Sequence, residues 1–297
     1  MIRVYAALGG LSLIWGLSFV FIKVLVGPAG MWGTVFLRCV AGAVLLLPIL
    51  LAKRKTIPQS IPWIPLLTIG VLNTGLPWGL IALSETVISS SSASILNATT
   101  PLWTGLIGLL FFSAVLAARQ WIGLLMGLLG ILIFIDFDVV KLAQENFTGV
   151  GTMLIATLCY GTSAQLTRKY LGNSGVLFTT AVSLIVGAMV GLIGLLFSQP
   201  IELSALANGP VLLAIIGLGC FGSGIAQLLF YYITKEGGPE IAVSVTFLIP
   251  VTALLWGAFL LQEKISSHAI WGLFVILAGV YLATRKKKAA VSISESA

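Results

Sequence analysis

Long apolar segments alternate with short polar joints along the whole chain. Most segments are close to the roughly 20 residues that a helix needs to cross the hydrocarbon core of a bilayer. The joints carry Gly-Pro pairs and charged clusters, which interrupt helices. We therefore predict an all-α membrane protein with ten transmembrane helices. The predicted spans are 4–26, 32–52, 64–84, 89–113, 119–136, 148–168, 175–198, 211–234, 239–261 and 267–284.

The fourth segment combines this length with many polar side chains. Residues 89–108 read SSSSASILNATTPLWTGLIG, so hydroxyls and an amide follow one another through the span. Unpaired polar groups are costly in hydrocarbon, and these side chains therefore need water or protein partners. Residues 241–257 show the same pattern of hydroxyl side chains in an apolar segment, around Pro250. We interpret both segments as helices that line an aqueous cavity; close helix packing through Ser and Thr is the alternative.

Composition excludes a soluble protein. Hydrophobic residues make up 59% of the 297 residues and charged residues only 8%, against about 25% charged in soluble domains. The three cysteines lie in apolar runs, and the only histidine is His268. The sequence contains no cluster of His, Cys and acidic residues that could hold a catalytic metal. We therefore expect no metal, no cofactor and no enzymatic activity.

The basic residues predict the orientation in the membrane. Cytoplasmic loops of membrane proteins carry an excess of Lys and Arg. With the N-terminus inside, only Lys23, Lys141 and Lys264 fall on the outer side, and Arg38 lies within a span. The other basic residues all fall inside: Arg3, Lys53, Arg54, Lys55, Arg119, Arg168, Lys169, Lys235 and residues 285–288. Both termini are therefore predicted to be cytoplasmic, and the net charge of +7 gives no reason to expect nucleic acid.

The two halves of the chain share a weak internal repeat. A shift of 145 to 149 residues superimposes Trp15 on Tyr160 and Pro101 on Pro250. Five spans per half is an odd number, so the second half enters the membrane from the opposite side. Inverted repeats are typical of secondary transporters, whose substrate site lies near the midplane where the halves meet. We predict two inverted five-helix repeats and a basic/polar cytoplasmic tail, at residues 1–145, 146–285 and 286–297.

Four stretches together carry a family resemblance: LIWGLSFVFIK at 13–23, FLRCVAGAVLL at 36–46, NATTPLWTGLIGLLFF at 97–112 and FLIPVTALLWGAFLLQEKI at 247–265. They resemble the paired EamA-like repeats of the EamA-type drug/metabolite transporter superfamily, over roughly residues 4–285. The resemblance implies ten helices and secondary transport, often export, of amino acids or other small metabolites. One departure is that the first repeat has Ala117-Ala118-Arg119 where the family often has an acidic-basic pair, which the second repeat keeps as Glu263-Lys264.

Arg38 is the one basic residue that lies well inside a predicted span. A buried arginine costs about 2.5–3.5 kcal/mol on insertion scales, so its position needs a reason. One interpretation is that the long side chain snorkels to the outer interface. The other is a fixed cation at the mouth of the cavity, which meets a carboxylate on the substrate.

Aromatic and amide side chains within the spans complete the predicted binding site. Trp15 and Tyr160 lie near mid-depth in equivalent spans, whereas aromatic residues of the membrane interface lie at helix ends. Mid-span amides offer donors and acceptors without charge, and interhelical hydrogen bonds are their alternative role. The predicted substrate-binding residues are Trp15, Arg38, Asn73, Trp78, Asn97, Thr100, Trp103, Tyr160, Gln165, Gln227, Ser244 and Thr246.

A dense group of glycines marks the eighth span. Gly217, Gly219, Gly222 and Gly224 fall within eight consecutive residues. Glycine lowers helix stability and permits close helix approach. We predict a flexible or broken helix at this point.

The acidic residues bear on energy coupling. All nine fall at span ends, in loops or in the tail, whereas a proton relay normally needs an ionisable group inside the membrane. We therefore hypothesise facilitated diffusion or exchange rather than tight proton coupling. Glu85, which ends the third span, is the one residue that could change this hypothesis.

Together these features predict a secondary transporter of the inner (cytoplasmic) membrane. It exports small metabolites, such as amino acids or related amphiphiles, by alternating access around a midplane cavity. Its expected partners are a small-molecule solute and the lipid bilayer, and a monomer is compatible with this scheme. The alternatives are a multidrug exporter, or a lipid-handling or interaction protein of the membrane with no transport cycle.

Overall fold

The computed structural model describes residues 2–53, 57–58, 60–88, 90–114, 116–134, 146–172, 174–198, 201–261 and 267–284. All regular secondary structure in these residues is helical. Helices suit an apolar chain in lipid, because each helix satisfies its backbone hydrogen bonds within one segment. The predicted tail at 286–297 and the Glu263-Lys264 pair lie outside the described residues.

Each predicted span overlaps helical residues of the structure. The helices are α1 Ile2–Ala52, α2 Trp63–Gly70, α3 Leu76–Val87, α4 Ser90–Asn97, α5 Thr100–Phe112, α6 Ala118–Phe134, α7 Phe147–Tyr170, α8 Val176–Leu195, α9 Leu203–Leu206, α10 Gly209–Ile216, α11 Ala226–Glu236, α12 Pro239–Val243, α13 Val245–Leu261 and α14 Ser267–Thr284. Among the described residues, five stretches are long and apolar enough to cross a membrane: Ile2–Ala52, Trp63–Val87, Ser92–Phe112, Val176–Leu195 and Gly209–Glu236. The count of ten spans and the side of the termini stay predictions.

The longest helix, α1, turns back on itself at Gly30. Gly30 has φ of 65° and ψ of 179°, a backbone region that residues with a Cβ rarely enter. Trp15 and Arg38 both hydrogen-bond to residues 222–223, although a straight helix would hold them about 35 Å apart at 1.5 Å per residue. The first arm of α1, before Gly30, and the second arm, after it, therefore run in opposite directions.

This reversal lies within the joint predicted between the first two spans, at residues 27–31, and two residues after Pro28. Residues 27 and 28 are still part of the helix. The Pro28 carbonyl accepts a hydrogen bond from the backbone N–H of Glu202 at 3.0 Å, which ties the turn to the second half of the chain. The glycine that can adopt positive φ, rather than the proline, sets the point of reversal.

Helices α4 and α5 occupy what the sequence predicts as one span. Pro101 has no N–H to donate to the Asn97 carbonyl four residues earlier, and the helix is interrupted at residues 98–99. The Thr100 hydroxyl donates to that carbonyl at 2.7 Å, which satisfies the acceptor that the proline leaves open. A similar interruption, at Ser244, separates α12 from α13.

Two π-helical segments lie at matching places in the two halves of the chain. Val71–Gly75 joins α2 to α3, and Gly217–Ile225 joins α10 to α11. The second segment coincides with the glycine cluster for which a flexible or broken helix is predicted. π-helical turns are rare and are frequent at functional sites, and both segments supply groups to the contacts described below.

Helices α6 and α14, the last of each half, pack antiparallel at close range. Gly123 of α6 lies against Ala283 of α14, and Gly130 lies against Ile276. The residue numbers rise along one helix as they fall along the other. Glycine at these positions lets the two backbones approach closely.

The second arm of α1 and helix α8 show the same arrangement. Phe36 lies against Gly191, whereas Gly42 lies against Leu184. These helices also hold equivalent places in the predicted repeat. Inverted repeats run equivalent helices in opposite directions, so antiparallel contact between such helices is expected for them.

The outer surface of the bundle is strongly apolar. Exposed residues include Leu110, Phe111, Leu125, Leu196 and Leu213. Soluble monomers rarely expose such an extensive apolar surface. This surface suits contact with lipid and leaves the interior for polar groups.

Candidate functional site

A cavity lies among the helices, between the two halves of the chain. It contains about 530 Å³ of space between atoms, including the part that opens to solvent. Helices α1, α3, α4 and α5 line it from the first half, and α7, α11, α12 and α13 from the second. Seven of the predicted residues contribute to its wall: Trp15, Arg38, Trp78, Asn97, Thr100, Tyr160 and Thr246.

Arg38 forms part of this wall and is only 3% exposed. Its guanidinium carbon lies 3.7 Å from the centre of the Trp78 ring, and its Nε donates to the Ser223 hydroxyl at 2.9 Å. The side chain therefore stays in the interior rather than snorkelling, and it keeps hydrogen-bond donors beside the cavity.

Aromatic rings from both halves surround the cavity. Trp15 donates from Nε1 to the Gly222 carbonyl at 3.1 Å, and its ring centre lies 5.7 Å from that of Phe230. Gly222 belongs to the π segment, where the regular helical bonding pattern is interrupted and a carbonyl can accept from a side chain. Trp78 and Tyr160 add two more rings to the wall, one from each half of the chain. The wall therefore suits the apolar part of a ligand.

Polar groups of the wall lie at the two helix breaks. Thr100 and Thr246 use their hydroxyls within their own helices, to the carbonyls of Asn97 and Val243. The Asn97 side-chain oxygen lies 3.5 Å from the Thr100 hydroxyl. The Asn97 amide is therefore a neutral group of the wall that can both donate to and accept from a ligand.

Two predicted amides join the halves instead of lining the cavity. The Asn73 amide nitrogen donates to the Gln227 side-chain oxygen at 3.1 Å and to the Tyr231 hydroxyl at 3.2 Å. The Tyr231 hydroxyl in turn lies 2.6 Å from the Ser183 hydroxyl. We call these four residues the Asn73 network. In this structure they form the interhelical hydrogen bonds that are the alternative role for mid-span amides.

Gln165 makes a second contact between the halves. Its Nε2 donates to the Thr104 carbonyl at 3.0 Å and to the Glu240 carboxylate at 3.1 Å. The Arg168 guanidinium lies 3.8 Å from the same carboxylate. We call these four residues the Gln165 network. It lies about one helical turn from the cavity, toward the ends of α5 and α7.

The two remaining predicted residues lie away from the cavity. Ser244 is fully buried, and its hydroxyl donates to the Ile241 carbonyl at 2.7 Å. Trp103 is half-buried on α5, and its indole nitrogen has no hydrogen-bond partner among the described residues. Neither contributes to the cavity wall.

Glu85 is fully buried, although it lies near the end of α3. Its backbone carbonyl accepts a hydrogen bond from the Lys23 ammonium at 2.6 Å. Ile81, one turn earlier, lines the cavity. The acidic residue at the end of a predicted span is therefore a buried carboxylate near the cavity.

Sequence reasoning missed the apolar part of the wall and Ser223, the hydrogen-bond partner of Arg38. In an apolar span, a residue that faces a cavity looks the same as one that faces lipid. One signal was available for Ser18, which follows Trp15 by three residues as Ser163 follows Tyr160. The missed lining residues are Ser18, Phe19, Ile22, Ile81, Phe230, Val243 and Ile249.

The fold and the cavity define a class of protein. Helices with an apolar outer surface enclose a partly polar cavity that both halves of the chain line, and this is a multi-pass membrane protein. No group of three or more His, Cys, Asp or Glu among the described residues could hold a metal ion. The model of the EamA-like transporter family matches residues 4–135 and 147–285. The chain belongs to this family, which confirms the resemblance seen in the sequence.

Relatives and solved structures agree with this assignment. The uncharacterized inner membrane transporter YedA of Escherichia coli K12 is 28% identical over 97% of this chain and 92% of its own length. The uncharacterized transporter YoaV of Bacillus subtilis 168 is 23% identical over 96% of this chain and 97% of its own. A solved crystal structure is similar with a TM-score of 0.75 over 95% of this chain and 97% of that chain, at 16% identity. At that identity the likeness shows the fold alone.

Proposed function

We propose that this protein is a ten-helix secondary transporter with two inverted five-helix repeats. It exports small amphipathic metabolites, such as amino acids, by alternating access around the cavity between the repeats. Membership of the EamA-like transporter family supports the transport function. The antiparallel packing of α6 with α14, and of the second arm of α1 with α8, supports the inverted repeats.

The observation that carries the substrate class is the chemistry of the cavity wall. Arg38 offers guanidinium donors for a carboxylate. Asn97 offers a neutral donor and acceptor for a second polar group, and Trp15 and Phe230 offer an apolar surface. An amino acid or a related amphiphile presents the same three chemistries within one small molecule.

The proposed location is the inner membrane, with both termini cytoplasmic. The relative YedA is named as an inner membrane transporter, and the bias of basic residues supports this orientation. In this orientation, the Gln165 network lies on the cytoplasmic side of the cavity. The structure then corresponds to a state that is closed toward the cytoplasm.

For energy coupling we propose exchange or facilitated diffusion. The burial of Glu85 makes it the residue at which this proposal has to be tested, because an ionisable group inside a membrane protein can carry protons. In reconstituted liposomes, a pH gradient should not drive uphill uptake, and Glu85→Gln should leave the exchange rate unchanged across pH. Uphill uptake that this substitution abolishes would replace exchange by proton coupling.

The central experiment is counterflow in liposomes that contain the purified protein. Vesicles preloaded with unlabelled amino acids are given a panel of labelled ones, and saturable uptake that depends on the preloaded solute is the expected result. Trp15→Ala and Asn97→Ala should each lower the flux about ten-fold, since each removes a wall contact worth 1 kcal/mol or more. Trp271→Ala is the matched control, because Trp271 is 67% exposed on the apolar outer surface.

Two results would contradict the proposal. Uptake no greater than in empty liposomes for every amino acid tested would remove the substrate class. Wild-type flux in both Trp15→Ala and Asn97→Ala would remove the cavity as the transport site.

A further inference from the structure

A second cleft lies apart from the central cavity, where α7 ends and α8 begins. It contains about 370 Å³ of space between atoms, including the part that opens to solvent, against about 530 Å³ for the central cavity. Its lining residues include Thr167, Arg168, Val176, Tyr231 and Lys235. None of them lines the central cavity.

Thr167, one of the lining residues, has a buried hydroxyl without a hydrogen-bond partner among the described residues. Thr167 is 94% buried, since only 6% of its surface is exposed, and its Oγ1 makes no hydrogen bond among the described residues. Elsewhere in α7, Thr152 and Thr162 hydrogen-bond to carbonyls of their own helix. A buried hydroxyl without a hydrogen-bond partner costs free energy. Such a group in a native protein therefore indicates a partner outside the chain.

The amino end of α8 opens into the same cleft. Val176, its first residue, lines the cleft, and the N-cap residue Gly175 offers no side chain to cap the helix. The first backbone N–H groups of a helix have no acceptor within the helix. They also carry the positive end of the helix dipole, so a helix start of this kind favours anions.

Two cations complete the lining. Arg168 and Lys235 each contribute to the cleft from the last turns of α7 and α11. Residues of three different helices that carry a hydroxyl, two cations and a helix start thus line one small cleft. A tetrahedral oxyanion can accept from several directions at once, and such charge-assisted hydrogen bonds are the strong ones.

We propose that this cleft is a binding site for a phosphate group. The Thr167 hydroxyl, the amino end of α8 and the Lys235 ammonium hold its oxygens, and Arg168 adds charge at the rim, where it also faces Glu240. The phosphate can belong to a free ion or to the headgroup of an anionic lipid. Basic pockets between membrane helices are known to accept such headgroups.

The test measures the thermal midpoint of the purified full-length protein in a neutral detergent, followed by tryptophan fluorescence. One arm titrates inorganic phosphate against chloride at constant ionic strength. The other arm compares phosphatidylglycerol with diacylglycerol of the same chains, which lacks the phosphate. A rise of the thermal midpoint with phosphate alone identifies a free anion as the source of the phosphate group. A rise with phosphatidylglycerol alone identifies a lipid headgroup. Either result supports the site.

Variants separate this site from general effects of charge. Thr167→Val and Lys235→Gln should each weaken the apparent affinity for the active probe about ten-fold or more, because each removes one hydrogen bond to an anion. Thr167→Val should fold at least as well as the wild type without the probe, since it removes an unpaired buried hydroxyl. Lys169→Gln is the matched control: it changes the same charge one residue from Arg168, but its ammonium lies near the rings of Phe112 and Tyr170.

Three outcomes would overturn the proposal. In the first, neither phosphate nor phosphatidylglycerol raises the thermal midpoint. In the second, Thr167→Val responds like the wild type to the probe that raises the midpoint. In the third, Lys235→Gln lowers the midpoint without any probe while the response to the active probe is unchanged. That result would mean that the cation only complements the carboxyl end of its helix.

Discussion

Contacts of the Arg38 side chain offset the free-energy cost of its burial. Insertion of an arginine in the middle of a membrane helix costs about 2.5–3.5 kcal/mol. Stacking on Trp78 at 3.7 Å returns about 2 kcal/mol when the pair is desolvated, and the hydrogen bond to Ser223 contributes further. Two groups from different parts of the chain, the Trp78 ring and the Ser223 hydroxyl, therefore hold a cation at the cavity wall.

Lysine should not replace arginine at this position. In Arg38→Lys the charge remains, but a compact ammonium cannot stack on Trp78 while it also reaches Ser223 and a ligand carboxylate. We expect the KM for a carboxylate-bearing solute in the liposome assay to rise about ten-fold or more, which corresponds to about 1.4 kcal/mol. Arg3→Lys is the control, because Arg3 is exposed near the N-terminus. A wild-type KM in Arg38→Lys would mean that the guanidinium does not contact the solute.

Sequence identifies polar residues within apolar spans but does not decide which neighbour they face. Asn73 and Asn97 look alike in the sequence, as amides in the third and fourth spans. In the structure Asn97 lines the cavity, whereas Asn73 hydrogen-bonds to Gln227 and Tyr231. The partners of Asn73 lie 154 and 158 residues away in the chain, so the difference arises from helix packing rather than from local spacing.

At the scale of elements, the contact between α6 and α14 depends on residues without side chains. A Cβ added at Gly130 would lie 2.6 Å from the backbone nitrogen of Ile276 and 3.0 Å from the carbonyl oxygen of Gly272. Both atoms belong to the backbone of α14, which cannot move aside like a side chain. The close approach of these helices therefore requires glycine on α6.

Gly130→Ala should destabilise the protein through this contact. Overpacking of this kind costs about 1–3 kcal/mol, which outweighs the gain of up to about 1 kcal/mol that alanine brings to a helix. We expect a lower thermal midpoint in detergent. Gly151→Ala is the matched control on α7, where a Cβ meets no atom within 4 Å, and its midpoint should be equal or higher. Equal midpoints for the two variants would mean that α6 and α14 do not pack this closely.

The apolar pattern predicts where helices lie better than it predicts where they break. The boundary inside α1 falls at Gly30, because the chain reverses where a residue can take positive φ. The break before Pro101 follows from the missing N–H of proline, which the sequence does contain. The π segments need contacts between the halves, such as Arg38 with Ser223, and these are not visible in local sequence.

At the scale of the whole molecule, two polar networks connect the halves beside the cavity. The Asn73 network joins the π segment after α2 to α11, and the Gln165 network joins α5 to α7 and α12. In the proposed alternating-access cycle, one repeat moves against the other. Both networks would have to break for the cavity to open at the ends of α5 and α7.

Loss of either network should therefore shift the protein toward a state open on that side. Interhelical hydrogen bonds in membranes contribute about 0.6–1.7 kcal/mol, so Asn73→Leu or Gln165→Leu should raise the open population about three- to twenty-fold. Spin labels at Ser113 and Gly172, which follow α5 and α7 and are both exposed, should report a larger fraction of long distances. Thr68→Val is the control, because its exposed hydroxyl bonds only within α2. Distance distributions that match the wild type in both leucine variants would show that these networks do not hold the cavity closed, and the site of closure would then have to be sought among the apolar contacts around Phe230.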